Sequence, residues 1–280
     1  MRRSRLVLLA IYALVLGGAL TAVGPAAGAA TGTGPVIGPL SGMVQPGGPV
    51  SRTTTLRAGL ASSADPTVIS SANWAGYIAS GAAGGYTSVS SSWTEPSGGQ
   101  CGQDGGGQGD QYSAFWVGLD GYSDSTVEQT GSEVDCSGST PEYSAWYEMY
   151  PAAPVYFTNP VEPGDEFSGS VTYENSKFRI TLADSTQGWS QTVSQSLAAA
   201  ERSSAEVVAE APCCTASGGV LPLTDFGSAS FTSAMVNGAE LCDASPEEII
   251  MPDASVTPVS SCEDFGVSYG GGQTGGTLSS

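Results

Sequence analysis

This chain of 280 residues contains no histidine. Without imidazole, neither Ser-His-Asp nor Cys-His catalysis can be built, and no histidine can ligate a metal. Positive charge is almost as scarce. There are 8 Lys and Arg against 27 Asp and Glu, for a formal net charge of −19. Beyond residue 70 only Lys177, Arg179 and Arg202 stand against every acid in the chain except Asp65. So acidic a body excludes nucleic acid and anionic membrane as partners, since both demand a positive surface. Its self-repulsion fades as carboxylates protonate, and it has few ion pairs to lose in acid. Both points favour a protein that works at low pH. Long apolar runs are missing too, save one at the N-terminus. Any chemistry must come from carboxylates, amides, hydroxyls or backbone groups, with no metal and no cofactor expected.

The one apolar run spans residues 6–23. It follows Arg2, Arg3 and Arg5 and precedes the small residues Ala27-Gly28-Ala29. A basic start, an apolar stretch and a small-residue cleavage site predict a secretory signal over residues 1–29, hence an extracellular protein that leaves the membrane once the signal is removed. Residues 30–70 are rich in Gly, Pro, Ala, Ser and Thr. They read either as a disordered linker or as a pro-segment whose Arg52 and Arg57 meet the acidic body. The six cysteines of an exported chain predict disulfides. Cys101 and Cys136 are expected to pair, and the adjacent Cys213 and Cys214 to bond to different partners. No Cys-x-x-Cys spacing supports a zinc site instead.

The body, residues 71–280, is expected to be one all-β domain. Period-two runs recur between Gly, Ser, Asp and Pro clusters, at 87–94, 112–119, 143–150, 166–173, 205–210 and 228–232. Phe178, Ile180 and Leu182 share one face of a further run, and Ile249 with Ile250 marks another. Gly164-Asp165 and Asn175-Ser176 supply turn chemistry. The pattern predicts an antiparallel β-sandwich of two packed sheets, a lectin-like jelly roll. Residues 197–209 are the one stretch that could be helical, through their alanines. The glycine-rich tail after Tyr269 is expected to be disordered.

The segment from Phe115 to Tyr150 alternates aromatics, carboxylates and one amide on strand-like runs, which is how a carboxylate-lined groove looks in sequence. In the run 205–210, Glu206, Val208 and Glu210 share one face. Two carboxylates so placed could act together, or could mark a solvated face.

Six elements occur in an order that resembles the glutamic peptidases (eqolisins), acid endopeptidases of fungi and some bacteria, here in a bacterial-type member. They are Ser71-Ala72-Asn73-Trp74-Ala75-Gly76-Tyr77, Trp116-Val117-Gly118-Leu119-Asp120-Gly121, Gln129-Thr130-Gly131, the run 143–151, Ala205-Glu206-Val207-Val208-Ala209-Glu210 and Leu221-Pro222-Leu223-Thr224-Asp225-Phe226. The resemblance implies Gln129 and Glu210 as the catalytic pair. It also implies Trp74 and Trp116 as groove-lining aromatics, with Asp120, Glu133, Glu148 and Glu206 close by. A partly desolvated glutamate can act as general base on a water, and a glutamine can donate to the oxyanion at any acid pH. Protein or peptide substrates and a monomer are expected. Three positions depart from the family pattern: Glu133 and Ser144, where aspartates are usual, and Val207, where a bulky aromatic is common. Two other readings remain. One is a non-catalytic carbohydrate-binding module; the other is a glycoside hydrolase pairing Glu148 with Glu210, in which Gln129 would have no role.

Overall fold

The computed structural model describes residues 68–97, 101, 109–212 and 219–270. The expected signal segment, most of residues 30–70, Cys213, Cys214 and the glycine-rich tail lie outside them. In chain order the strands are β1 (Val68–Ser70), β2 (Trp74–Ser80), β3 (Ser88–Thr94), β4 (Ala114–Leu119), β5 (Val127–Ser137), β6 (Thr140–Tyr150), β7 (Val155–Tyr156) and β8 (Glu166–Glu174). They continue with β9 (Lys177–Asp184), β10 (Trp189–Gln195), β11 (Ser204–Glu210), β12 (Ser228–Val236), β13 (Ala239–Glu240), β14 (Glu247–Ile250), β15 (Ala254–Ser261) and β16 (Asp264–Tyr269).

They form two sheets. The first runs β1-β14-β2-β11-β4-β5-β6-β7, and the second β10-β9-β8-β3-β12-β16-β15 with β13 beside β12. Pairing is antiparallel except between β1 and β14. This is the expected β-sandwich. Among the described residues sheet pairing is already present at Val68, ahead of the expected body start at Ser71. The helical option at 197–209 fails, because residues 204–210 form β11 between β2 and β4. Alanine favours helix by a fraction of a kcal/mol per residue. Alternation of Ala205, Val207 and Ala209 with Glu206, Val208 and Glu210 fits a pleat instead, and β-branched valine fits it best.

The two sheets bury different patterns. In the second sheet, β8 and β9 alternate outward polar residues with inward Phe167, Val171, Phe178, Ile180 and Leu182. Those side chains meet Trp93, Phe115, Val117 and Val207 in the main core. Trp93 stacks on Phe167, as expected of a core tryptophan, and donates its indole N–H to Ser132 Oγ at 2.8 Å. The outer face of this sheet is a field of hydroxyls. Thr192, Thr181, Ser170 and Ser90 stand in one cross-strand row, and Ser190, Ala183, Ser168, Ser92 and Thr232 in the next.

The central strands β2, β4 and β11 of the first sheet are buried on both faces, apart from Ser80 at the end of β2. One face contributes to the main core. The other carries a separate apolar cluster of Trp74, Ile78, Ala114, Trp116, Val127, Trp146, Tyr156, Val208 and Ile249. Trp146 is buried in this second cluster, as Trp93 is in the first.

The expected Cys101–Cys136 disulfide is present, and Cys242 pairs with Cys262. All four described cysteines are thus paired with one another, and the expectation for Cys213 and Cys214 lies outside the described residues.

Candidate active site

Strand register brings the candidate residues together. Reading across the first sheet, Ile78, Glu206, Gly118, Gln129 and Glu148 stand in one row. The next row contains Gly76, Val208, Trp116, Gly131 and Trp146, and the one beyond it Trp74, Glu210, Ala114, Glu133 and Ser144. All three rows lie on the face of the second cluster. Gln129, Glu133, Glu148, Glu206, Glu210, Trp74 and Trp116 are all buried.

Trp116 separates the row of Gln129 from the row of Glu210 and links them. Its Nε1 donates to Glu210 Oε2 at 2.8 Å. The far edge of the same indole covers Gly118, where a Cβ would lie 2.8 Å from Trp116 Cζ3 and 3.1 Å from Gln129 Cβ. Gly118 must therefore lack a side chain for the indole to lie where it does. Gly131 is tighter still, since a Cβ there would meet the Phe115 carbonyl oxygen at 2.3 Å and Trp116 Cβ at 2.6 Å. Trp74 packs edge-on against Trp116, with ring centroids 4.9 Å apart. The indole N–H groups of Trp74 and Trp146 are buried without a hydrogen-bond partner in the structure. Buried donors are normally satisfied, so this face is suited to a polar occupant.

The carboxylates differ in what holds them. Glu210 Oε1 accepts from Asn73 Nδ2 at 3.3 Å, while Oε2 accepts from Trp116. N–H donors favour the ionised form and work against burial. Glu148 Oε2 accepts from Gln129 Nε2 at 2.7 Å, which orients that amide. A two-carboxylate glycosidase would need Glu148 as acid or base, whereas here it serves Gln129.

Glu133 Oε1 accepts from Ser144 Oγ at 2.6 Å. Burial pushes the Glu133 carboxyl up to about 7, against the opposing pull of hydrogen bonds from Ser144 and Tyr156. Glu206 has no hydrogen-bond partner of good geometry for either oxygen. Burial holds it well above the ordinary carboxylate range; the Ser204 hydroxyl opposes this, and the charges of Asp120, Asp124 and Glu128 add to it. Glu206 thus has the character of a neutral acid on this face.

Asp120 is placed differently. It sits just past the end of β4 with φ 71°, and its two oxygens accept from the backbone N–H groups of Arg202 and Ser203, both at 2.7 Å. It anchors the entry into β11 and is not one of the groups in the three rows. Sequence reasoning gave no role to Asn73 or Tyr156. Asn73 lay within a motif already singled out, but only the fold reveals that it reaches a residue 137 positions away.

The chain matches the model of the Peptidase A4 family over residues 72–262. It belongs to that family. It is 32% identical over 190 residues to aspergillopepsin-2 of Aspergillus niger, an alignment covering 59% of this chain and 64% of that protein. The chain thus spans a little under two thirds of the length of that curated relative. Among solved structures it is similar to scytalido-glutamic peptidase with a transition state analog inhibitor, at 25% identity and a TM-score of 0.57, covering 71% of this chain and 98% of that one. A second structure of the same peptidase, with a peptide-based transition state analog, aligns at 27% identity over the same shares with a TM-score of 0.56.

Proposed function

We propose that this protein is a secreted acid endopeptidase in which Glu210 and Gln129 carry the reaction. Glu210, as carboxylate, takes a proton from a water whose oxygen attacks the peptide carbonyl carbon. The carbonyl oxygen becomes an oxyanion, to which the Gln129 amide donates. Glu210 then returns the proton to the amide nitrogen as the C–N bond breaks. No nucleophilic side chain is consumed, and no step calls on an imidazole, which the chain lacks.

The observation that carries this reading is the placement of Glu210, fed by the N–H groups of Asn73 and Trp116, on one sheet face with the oriented Gln129 amide. Membership of a peptidase family supports the substrate class. Trp74 and Trp116 form the aromatic wall, and Glu133, Glu148 and Glu206 the acidic surround. The signal segment and the disulfides support export. Residues 30–67 act as a pro-segment released ahead of Val68, so that β1 is kept; N-terminal sequencing of the secreted form checks this, and a start at residue 30 defeats it.

The test of function is digestion of haemoglobin between pH 2 and 8 by wild type, Gln129→Ala and Glu210→Gln. Cleavage confined to acid, abolished in Glu210→Gln and reduced by about 10²–10³ in Gln129→Ala, is expected. A folded wild type that leaves protein intact at every pH, or full activity in Glu210→Gln, sinks the proposal.

A further inference from the structure

Glu210 has a buried support that lies outside the pair proposed to do the chemistry. Ser71, Asn73 and Trp74 are all buried. Ser71 Oγ accepts from the backbone N–H of Asn73 at 3.1 Å and of Trp74 at 3.0 Å, and donates to Asn73 Oδ1 at 3.0 Å. A serine hydroxyl has two lone pairs and one hydrogen. Two N–H groups occupy the lone pairs, so the hydrogen goes to Asn73 Oδ1. The asparagine amide can then face only one way, with Oδ1 on Ser71 and Nδ2 on Glu210 Oε1. The opposite orientation would set oxygen against both the hydroxyl's lone pairs and the carboxylate.

The backbone fixes this relay at both ends. Ser71 N donates to the Ile250 carbonyl of β14 at 2.8 Å, and Ala211 N, next to Glu210, donates to the Asn73 carbonyl at 2.8 Å. We propose that Ser71 and Asn73 are positioning residues, Ser71 locking the Asn73 amide so that its N–H holds Glu210 in place and in its ionised form. The proposal rests on the reading of Glu210 as general base. The other titratable groups on this face are Glu206 on β11, Glu133 and Asp135 on β5, Glu142, Glu148 and Tyr150 on β6, Tyr156 on β7 and Glu247 on β14, with Tyr122 packed against the cluster; Tyr77 and Glu248 lie on the opposite face. No cation faces Glu210 among the described residues of these strands, so N–H donors must favour its charge.

The measurement is the titration of Glu210 by carbon NMR of glutamate-labelled protein, its signal assigned by loss in Glu210→Gln. It does not depend on catalysis. Ser71→Ala and Asn73→Ala are expected to raise the midpoint by about one pH unit, and Ser71→Thr, which keeps the hydroxyl, to restore it. In digestion assays the acid limb of kcat should move up with it while KM stays nearly constant. Should either alanine variant fail to fold, Asn73→Asp keeps the shape and the acceptor for Ser71. It replaces only the donor, and two touching carboxyls should then titrate in two separated steps. An unchanged midpoint in Asn73→Ala, or a single unshifted step in Asn73→Asp, overturns the proposal even if the enzyme digests protein. A wild type that digests nothing, with the midpoint shifts present, would instead remove the peptidase reading and leave the relay standing.

Discussion

Glu133 and Ser144 face each other across the β5–β6 ladder, joined by a hydrogen bond of 2.6 Å from the Ser144 hydroxyl to Glu133 Oε1. In sequence these were two separate departures from the family pattern, each standing where an aspartate is usual. In the fold they are one linked change. Two facing aspartates would form a pair of like charges that cannot both ionise cheaply. A glutamate facing a serine leaves a single titrating group and a neutral donor, with the longer side chain spanning the gap.

Ser144→Ala should therefore drive Glu133 further up from about 7, since the Ser144 hydroxyl is the strongest influence favouring the charged form. Carbon NMR of Glu133 reads the change. A midpoint that stays put would show that the hydroxyl does not stabilise the carboxylate.

Trp116→Phe removes the Nε1 donor to Glu210 while keeping an aromatic ring against Trp74. Hydrogen bonds to charged groups contribute about 1.5–3 kcal/mol, so kcat should fall about ten- to a hundredfold. The melting temperature should change far less in proportion. Full activity in this variant would mean that Glu210 does not need the indole.

Gly118→Ala and Gly131→Ala should fail in different ways. At Gly131 the obstruction is the Phe115 carbonyl oxygen on the paired strand, which cannot yield without breaking the ladder. A loss of about 3 kcal/mol or more in denaturant unfolding is expected. At Gly118 the nearest obstruction is the Trp116 ring edge. A tilted indole should cost only about 1–2 kcal/mol but displace the donor to Glu210, so activity should fall more than stability. Equal effects at the two sites would contradict this account.

Stability should decline as pH rises. Burial raises Glu133 to about 7, Glu95 to about 8 and Glu128 to about 9, from an ordinary 4.5. The folded state holds these protons more tightly than the unfolded chain, so their contribution is fully present below about pH 4.5. It falls at about 1.4 kcal/mol per pH unit for each differing proton, until each group passes its folded value. Thermal melts from pH 3 to 8 should show a steady drop. Glu95→Gln should flatten the slope between pH 5 and 8, and an unchanged slope would show that Glu95 ionises without cost to the fold.

The sandwich was legible because inward Phe167, Val171, Phe178, Ile180 and Leu182 alternate with outward polar residues, and a period of two needs no long-range information. β11 was readable in part for the same reason, although the alanines before it also suggested helix. The catalytic candidates were legible only through motif order. Nothing local to Gln129 or Glu210 states that Trp116 will lie between their rows; that follows from the register of β4 between β5 and β11. The resemblance placed Asp120 near the site, but no local signal showed its anchoring task, which rests on a left-handed backbone and two backbone N–H partners 82 and 83 positions away. Which of the two clusters a tryptophan such as Trp93 or Trp146 joins is not legible, because apolar residues on both faces of a doubly buried sheet look alike in sequence.

The hydroxyl rows on the outer face of the second sheet bear on how the protein stays dispersed. The full sequence has an isoelectric point near 4.1, and loss of the arginines ahead of Val68 moves that of the secreted body lower, within the acid range where it is proposed to act, so charge repulsion between molecules fades when it is most needed. Serine and threonine do not titrate there. The capacity of Thr192, Thr181, Ser170 and Ser90 to hydrogen-bond water is the same at pH 3 as at pH 7, so this face should remain hydrated whatever the protonation of the carboxylates.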